Sequence, residues 1–132
     1  MEIPRGNSRE DIKARKQIIK DFYAAWIAEH PDKKVYNKSL KAYIHVKFQS
    51  INEALGHAPR SYEATAAQSH LSEILADAVL IEKRPPKHGD KNQKAFSKML
   101  LLKWKASRLL VGLQRTSNEY VLYYISGGPK TK

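Results

Sequence analysis

At 132 residues, with 42% hydrophobic and 28% charged residues, the chain has the size and composition of one globular domain with a real core. It has no cysteine, which excludes disulfides and thiolate zinc sites, and no apolar run approaches the ~18 residues that span a bilayer. Its 24 Lys and Arg residues outnumber 13 Asp and Glu, for a formal charge of +11, which points to polyanionic partners.

Residues 1–6 lack the apolar core of a secretory signal. Residues 8–29 read as a first helix, with Ser8 as N-cap and Glu10 and Asp11 in its positive first turn. Ile12, Ile19, Phe22, Trp26 and Ala28 approximate its apolar stripe, widened by Ile18, Tyr23 and Ile27. Arg9, Lys13, Lys16 and Lys20 fall mainly on the other side. His30-Pro31 ends it, because the residue before proline avoids the α region. A short extended stretch lies around Val35-Tyr36. In residues 43–48, Ile44, Val46 and Phe48 alternate with Tyr43, His45 and Lys47, the period of a half-buried strand.

Ser50-Ile51-Asn52-Glu53 has the form of a capping box opening a short helix that stops at Gly56-His57-Ala58-Pro59. A further helix opens at Ser61 and runs to about Ala78, with Ala67, Leu71, Ile74 and Leu75 at helical spacing. Val79-Leu80-Ile81 reads as a short buried strand. Residues 84–93, with Pro85-Pro86 and Gly89-Asp90, form the clearest loop. Three strands follow, roughly 95–104, 108–115 and 119–125. Their short connections imply an antiparallel meander. Residues 127–132 read as a frayed tail. The whole is a single α+β domain, residues 1–132, with N-terminal helices packed on an antiparallel sheet ending in a three-stranded meander.

The charge is concentrated late. Residues 91–132 hold nine Lys or Arg against one acid, Glu119. A sheet cannot hide that much unpaired charge, so clustered cations facing a nucleic acid, with release of its counterions, are the leading reading; the simpler reading is that the excess only keeps the protein soluble. Two-residue turns place Leu100, Leu102 and Trp104 on one face with Leu109, Val111, Leu113, Leu122 and Tyr124, under the helices. Lys98 and Arg115 then lie diagonal to each other at one end. A one-residue slip would exchange these faces. Lys87, His88, Lys91, Lys94, Lys103 and Arg108 are the further candidates for phosphate contact.

No P-loop, GxGxxG, HExxH or convincing metal-ligand spacing occurs, so neither a metal nor a cofactor is expected. The scarcity of acids in the basic meander speaks against a nuclease that holds metal ions. Among five histidines, His70 stands beside the apolar stripe of its helix, where it serves as a surface residue or as a proton carrier at neutral pH. His45 projects from the opposite face of its strand and carries less weight.

The run Phe48-Gln49-Ser50-Ile51-Asn52-Glu53, then Ala64-Thr65-Ala66, His70-Leu71 and residues 74–79, resembles small nuclease-like domains of phages and mobile elements. So do Phe96-Ser97-Lys98 and the Tyr-rich residues 119–124. These domains belong to the barnase, EndoU, colicin and RelE-like group. The resemblance covers residues 43–126, a nuclease-like core, and leaves the first helix, within residues 1–30, outside it. It implies helices followed by an antiparallel sheet and a metal-independent endoribonuclease, toxin-like in role. It also implies a catalytic set of His70, Lys98, Arg115, Thr116 and Tyr124, with Ser117 able to replace Thr116, and Tyr120 or Tyr123 able to replace Tyr124. The expected partners are RNA and a cognate immunity protein or antitoxin, with no membrane, and the expected place of action is the cytoplasm. Two alternatives remain: a non-catalytic nucleic-acid-binding protein using a basic sheet surface, or an inhibitor binding an acidic protein surface.

Overall fold

A computed structural model describes residues 2–91 and 93–127. It has four α-helices, α1 (Arg9–Glu29), α2 (Phe48–His57), α3 (Tyr62–Gln68) and α4 (Leu71–Asp77), and six strands. These are β1 (Lys34–Asn37), β2 (Ala42–His45), β3 (Val79–Arg84), β4 (Phe96–Trp104), β5 (Ser107–Gln114) and β6 (Tyr120–Ser126). They form one sheet in the order β1-β2-β6-β5-β4-β3. The α+β class is as expected, and β4, β5 and β6 form the antiparallel meander. The sheet is nonetheless mixed, because β2 runs parallel to β6 through Ile44–Tyr120 and His45–Val121. Of the expected frayed tail, residues 128–132 lie outside the described residues.

The main core lies between the helices and one sheet face. Ile19, Tyr23 and Trp26 of α1 and Leu71, Ile74 and Leu75 of α4 pack with Leu100, Leu102, Leu109, Val111 and Leu122. Leu113 joins from a half-buried position. Ser8 caps α1, accepting from the Asp11 N–H at 3.0 Å. The α1 stripe is rotated from the expected one: Tyr23 is buried, Ala28 is exposed, and Arg15 is fully buried. Arg15 donates from Nε to the Pro59 carbonyl at 2.6 Å and from Nη1 to the carbonyls of Pro4 and Gly6 at 2.8 and 2.6 Å. It thus ties the N-terminal segment to the 3-10 turn Ala58–Arg60. A basic residue inside an apolar stripe is invisible to periodicity, since only its carbonyl partners make burial tolerable.

Three local expectations are corrected. Helix α2 begins at Phe48 with Lys47 as N-cap, so Ser50 stands at the third helical position and accepts from the Lys47 N–H at 3.0 Å. The helix expected to run from residue 61 to 78 breaks at Ser69-His70 into α3 and α4. Strand β3 is the sheet edge, with Val79 57% and Ile81 50% exposed, where a buried strand was expected.

A second, smaller cluster occupies the other sheet face: Phe96, Met99, Leu110, Val121 and Tyr123. The registers shift between Phe96 and Lys98 and between Leu110 and Val111. The second shift pairs Leu110 with Tyr124 but Val111 with Leu122, leaving Tyr123 as the extra residue. A bulge of this kind lets two neighbouring side chains share a face. Tyr123 and Tyr124 therefore both pack with the outer cluster, and Ile125 returns to the helix side. Tyr124 was expected on the helix side; the bulge reverses it.

Candidate active site

The parallel β2–β6 pairing decides where the titratable groups meet. His45 pairs with Val121, and parallel partners share a sheet face. Beyond His45 the chain leaves β2 and Lys47 becomes the N-cap of α2, while Glu119 immediately precedes β6, and the three side chains meet at this end of the sheet. His45 Nε2 is 3.5 Å from Glu119 Oε2, and Lys47 Nζ donates to Glu119 Oε1 at 2.7 Å. Lys47 Nζ also donates to Gln114 Oε1 at 2.9 Å, and Ser117 Oγ donates to the same oxygen at 3.1 Å. A cavity of about 430 Å³ opens beside them, lined by His45, Lys47, Lys33 and Phe48. Phe48 is 78% exposed at its rim.

The charge states follow from this arrangement. Burial pushes His45 below the ordinary histidine range, against the opposing pull of Glu119; Lys34 and Lys47 add to the lowering. The hydrogen bond from Lys47 holds Glu119 below the usual carboxylate range, with smaller help from the Ser117 hydroxyl. At neutral pH the imidazole is thus mainly neutral and the carboxylate ionised. The 3.5 Å approach of Nε2 to Glu119 is a charge contact, and either nitrogen of the neutral ring can accept a proton. The arrangement is an imidazole beside a carboxylate, with a lysine cation alongside.

Three of the sequence-derived catalytic residues lie at this same end of the sheet. Lys98 is exposed near the start of β4 and pairs with Leu113, which puts it on the helix-side face, opposite to His45. Arg115 follows β5, held by its N–H to the Ala95 carbonyl at 2.9 Å and by Nε to the Lys94 carbonyl at 3.4 Å. Thr116 is exposed in the turn that leads to Glu119. His70 is not with them. It precedes α4, exposed, with Nδ1 3.1 Å from Glu73 Oε2 and its ring 5.5 Å from that of Trp104. At roughly 3.3 Å per residue, Trp104 lies about 20 Å along β4 from Lys98. The expected grouping of His70 with Lys98 and Arg115 is therefore corrected. Tyr124 is also apart, mid-sheet on the outer face and partnered with Leu110.

The residues expected to contact phosphate divide into two groups. Lys87, His88, Lys91 and Lys94 are exposed on the 85–95 loop. Lys103 and Arg108 pair with each other across β4 and β5, at the far end of the outer face. Among the described residues, no group of His, Asp and Glu converges in a way that could hold a metal ion, and no helix is long and apolar enough to cross a membrane.

Two signals in the sequence point to His45 and Glu119 without joining them. The alternation over residues 43–48 already placed His45 and Lys47 on one strand face, away from Ile44 and Val46. Glu119 was the single acid in the basic last third. What local pattern could not supply was the parallel pairing that joins the two segments.

Residues 14–101, two thirds of the chain, match the family described as large polyvalent protein-associated domain 3. The chain belongs to the large polyvalent protein-associated domain 3 family. The matched region includes His45, Lys47, His70 and Lys98 and ends within β4, before Arg115 and Glu119. Comparison with curated proteins and with solved structures finds no match.

Proposed function

We propose that this domain is a metal-independent endoribonuclease, toxin-like in role, in which His45 is the general base. The observation that carries the reading is the convergence of His45, Lys47 and Glu119 at the sheet end that also holds Lys98 and Arg115. RNA brings its own nucleophile, the 2′-hydroxyl. The neutral imidazole of His45 takes the proton of that hydroxyl, and the 2′-oxygen forms a bond to the adjacent phosphorus. The bond from phosphorus to the 5′-oxygen breaks, that oxygen takes a proton from solvent, and a 2′,3′-cyclic phosphate remains. Glu119 acts as a positioning residue, fixing the imidazole and stabilising it once it is protonated. Lys47 and Arg115 supply positive charge to the crowded phosphate, where a well-placed donor contributes about 3–4 kcal/mol in comparable sites.

Phe48, exposed at the rim, offers a ring on which a neighbouring base can stack. The family's name associates such domains with large polyvalent proteins, which agrees with a toxin-like module carried in a larger polypeptide. It acts on cytoplasmic RNA and is held in check by a cognate immunity protein or antitoxin. The test is cleavage of RNA in EDTA by the unaltered domain and by His45→Ala. The reading requires cyclic-phosphate products from the first and a loss of at least a hundredfold in rate from the second, with RNA binding retained.

A further inference from the structure

A cavity of about 1030 Å³ lies away from His45, on the outer sheet face beneath the proline-rich loop. Met99, Leu110, Tyr123 and Tyr124 form its floor. The two tyrosine rings, brought to one face by the β6 bulge, sit 5.7 Å apart. Arg84, Lys87 and His88 stand along the loop side, with the acid Asp90 among them. An apolar aromatic floor beneath a cationic wall suits a ligand with a flat π-face and an anionic group. The volume is that of an ordinary small-molecule site.

We propose that this cavity binds one nucleotide unit. Its base lies against Tyr124 and the apolar floor, and its phosphate faces Lys87, His88 and the guanidinium of Arg84. Arg84 is already oriented for this by Glu82, which accepts from its Nε and Nη2 at 3.1 Å each. Position along the sheet adds a second argument. Tyr124 lies three residues beyond Val121, the partner of His45, which is about 10 Å at strand spacing. A strand of RNA with its scissile phosphate at His45 would therefore place a nearby nucleotide in the cavity. On the ribonuclease reading, on which this assignment of role rests, the cavity selects a base beside the cut. The Glu53–His57 pair, whose Oε2 and Nε2 are 3.4 Å apart, stands at the helix side and offers polar groups to a base edge.

The test is binding of nucleoside 5′-monophosphates and of inorganic phosphate alone to the whole domain, by calorimetry. Saturable binding is expected for nucleotides, with one base preferred, and much weaker binding for phosphate. Tyr124→Ala should weaken nucleotide binding roughly ten- to hundredfold, the scale of a lost base stack. Lys87→Glu, on the exposed loop where folding is not at stake, should weaken nucleotides too. His45→Ala should leave nucleotide affinity unchanged. No nucleotide binding, or affinity no better than that of phosphate, overturns the cavity proposal even if RNA is cleaved. Nucleotide binding lost with Lys87→Glu and kept with His45→Ala, but without RNA cleavage, sustains the cavity and removes the ribonuclease reading.

Discussion

The imidazole of His45 and the carboxylate of Glu119 lie 3.5 Å apart across the parallel junction of β2 and β6. Distant segments form this pair, and Lys47 joins it by donating to Glu119 at 2.7 Å. Removing the base should be the most costly single change to catalysis. His45→Ala is expected to lower RNA cleavage by at least a hundredfold while RNA affinity, measured by filter binding, stays within a few-fold. His70→Ala, at the remote Trp104 end, is expected to retain most activity.

The pH profile separates a base from a bystander. His45 works in its neutral form, so kcat/KM should rise with pH through an apparent pKa below the ordinary 6.5 and then level off. The carboxylate of Glu119 raises the His45 pKa, and the Lys47 cation lowers it. Glu119→Gln should therefore move the acid limb to lower pH, and Lys47→Met should move it to higher pH. Limbs that stay in place in both variants would exclude His45 as the titrating group.

The same two shifts act on folding, in the same direction. Neutral His45 is favoured in the folded chain, so between its lowered pKa and 6.5 the unfolded state binds more protons and stability falls as pH drops. Glu119, lowered from 4.5, adds a loss at more acid pH. Urea midpoints should decline from pH 7 to pH 5, then further towards pH 3. In His45→Gln the first part of that decline should shrink.

Packing on the outer face hinges on a glycine. A Cβ on Gly112 would come within 2.5 Å of the Phe96 ring, which is fully buried and meets Tyr123 edge-on. Gly112→Ala should cost about 1–3 kcal/mol by overpacking, and Leu102→Ala, in the main core, about 2–5 kcal/mol. Denaturant unfolding measures both. A neutral Gly112→Ala would mean that the Phe96 ring moves aside freely.

Sequence patterns conveyed the α+β class, α1 with its Ser8 cap, and the register that buries Leu100, Leu102, Val111 and Leu122 together. These rest on local periodicity and short turns, which a single strand or hairpin determines. The features that escaped are set by contacts distant in sequence. The carbonyls that accept from Arg15, the β6 bulge that turns Tyr124 outward, and the β2–β6 pairing that brings His45 to Glu119 are all of this kind. The meander register alone put Lys98 and Arg115 at one end of the sheet, whereas Thr116 entered only through the family resemblance. His70 was misplaced because the break between α3 and α4, and its position beside Trp104, depend on packing.

The basic residues make an electrostatic prediction that does not depend on catalysis. Lys94, Lys98 and Lys103 are all exposed. Replacing the three with Gln should reduce the salt slope of RNA binding by roughly two to three, near 0.7–0.9 per lost phosphate contact. An unchanged slope in competition binding would remove phosphate contact from these positions.

The central claim is that His45 activates the 2′-hydroxyl of RNA without a metal ion. The most direct measurement is incubation of the purified domain, in EDTA, with an RNA oligonucleotide and with the same oligonucleotide carrying a 2′-deoxy sugar at the cut, followed by analysis of the product ends. The account predicts cleavage of the first to a 2′,3′-cyclic phosphate and a 5′-hydroxyl, resistance of the second, and loss of cleavage in His45→Ala. Equal cleavage of both substrates, or full activity in His45→Ala, would contradict it.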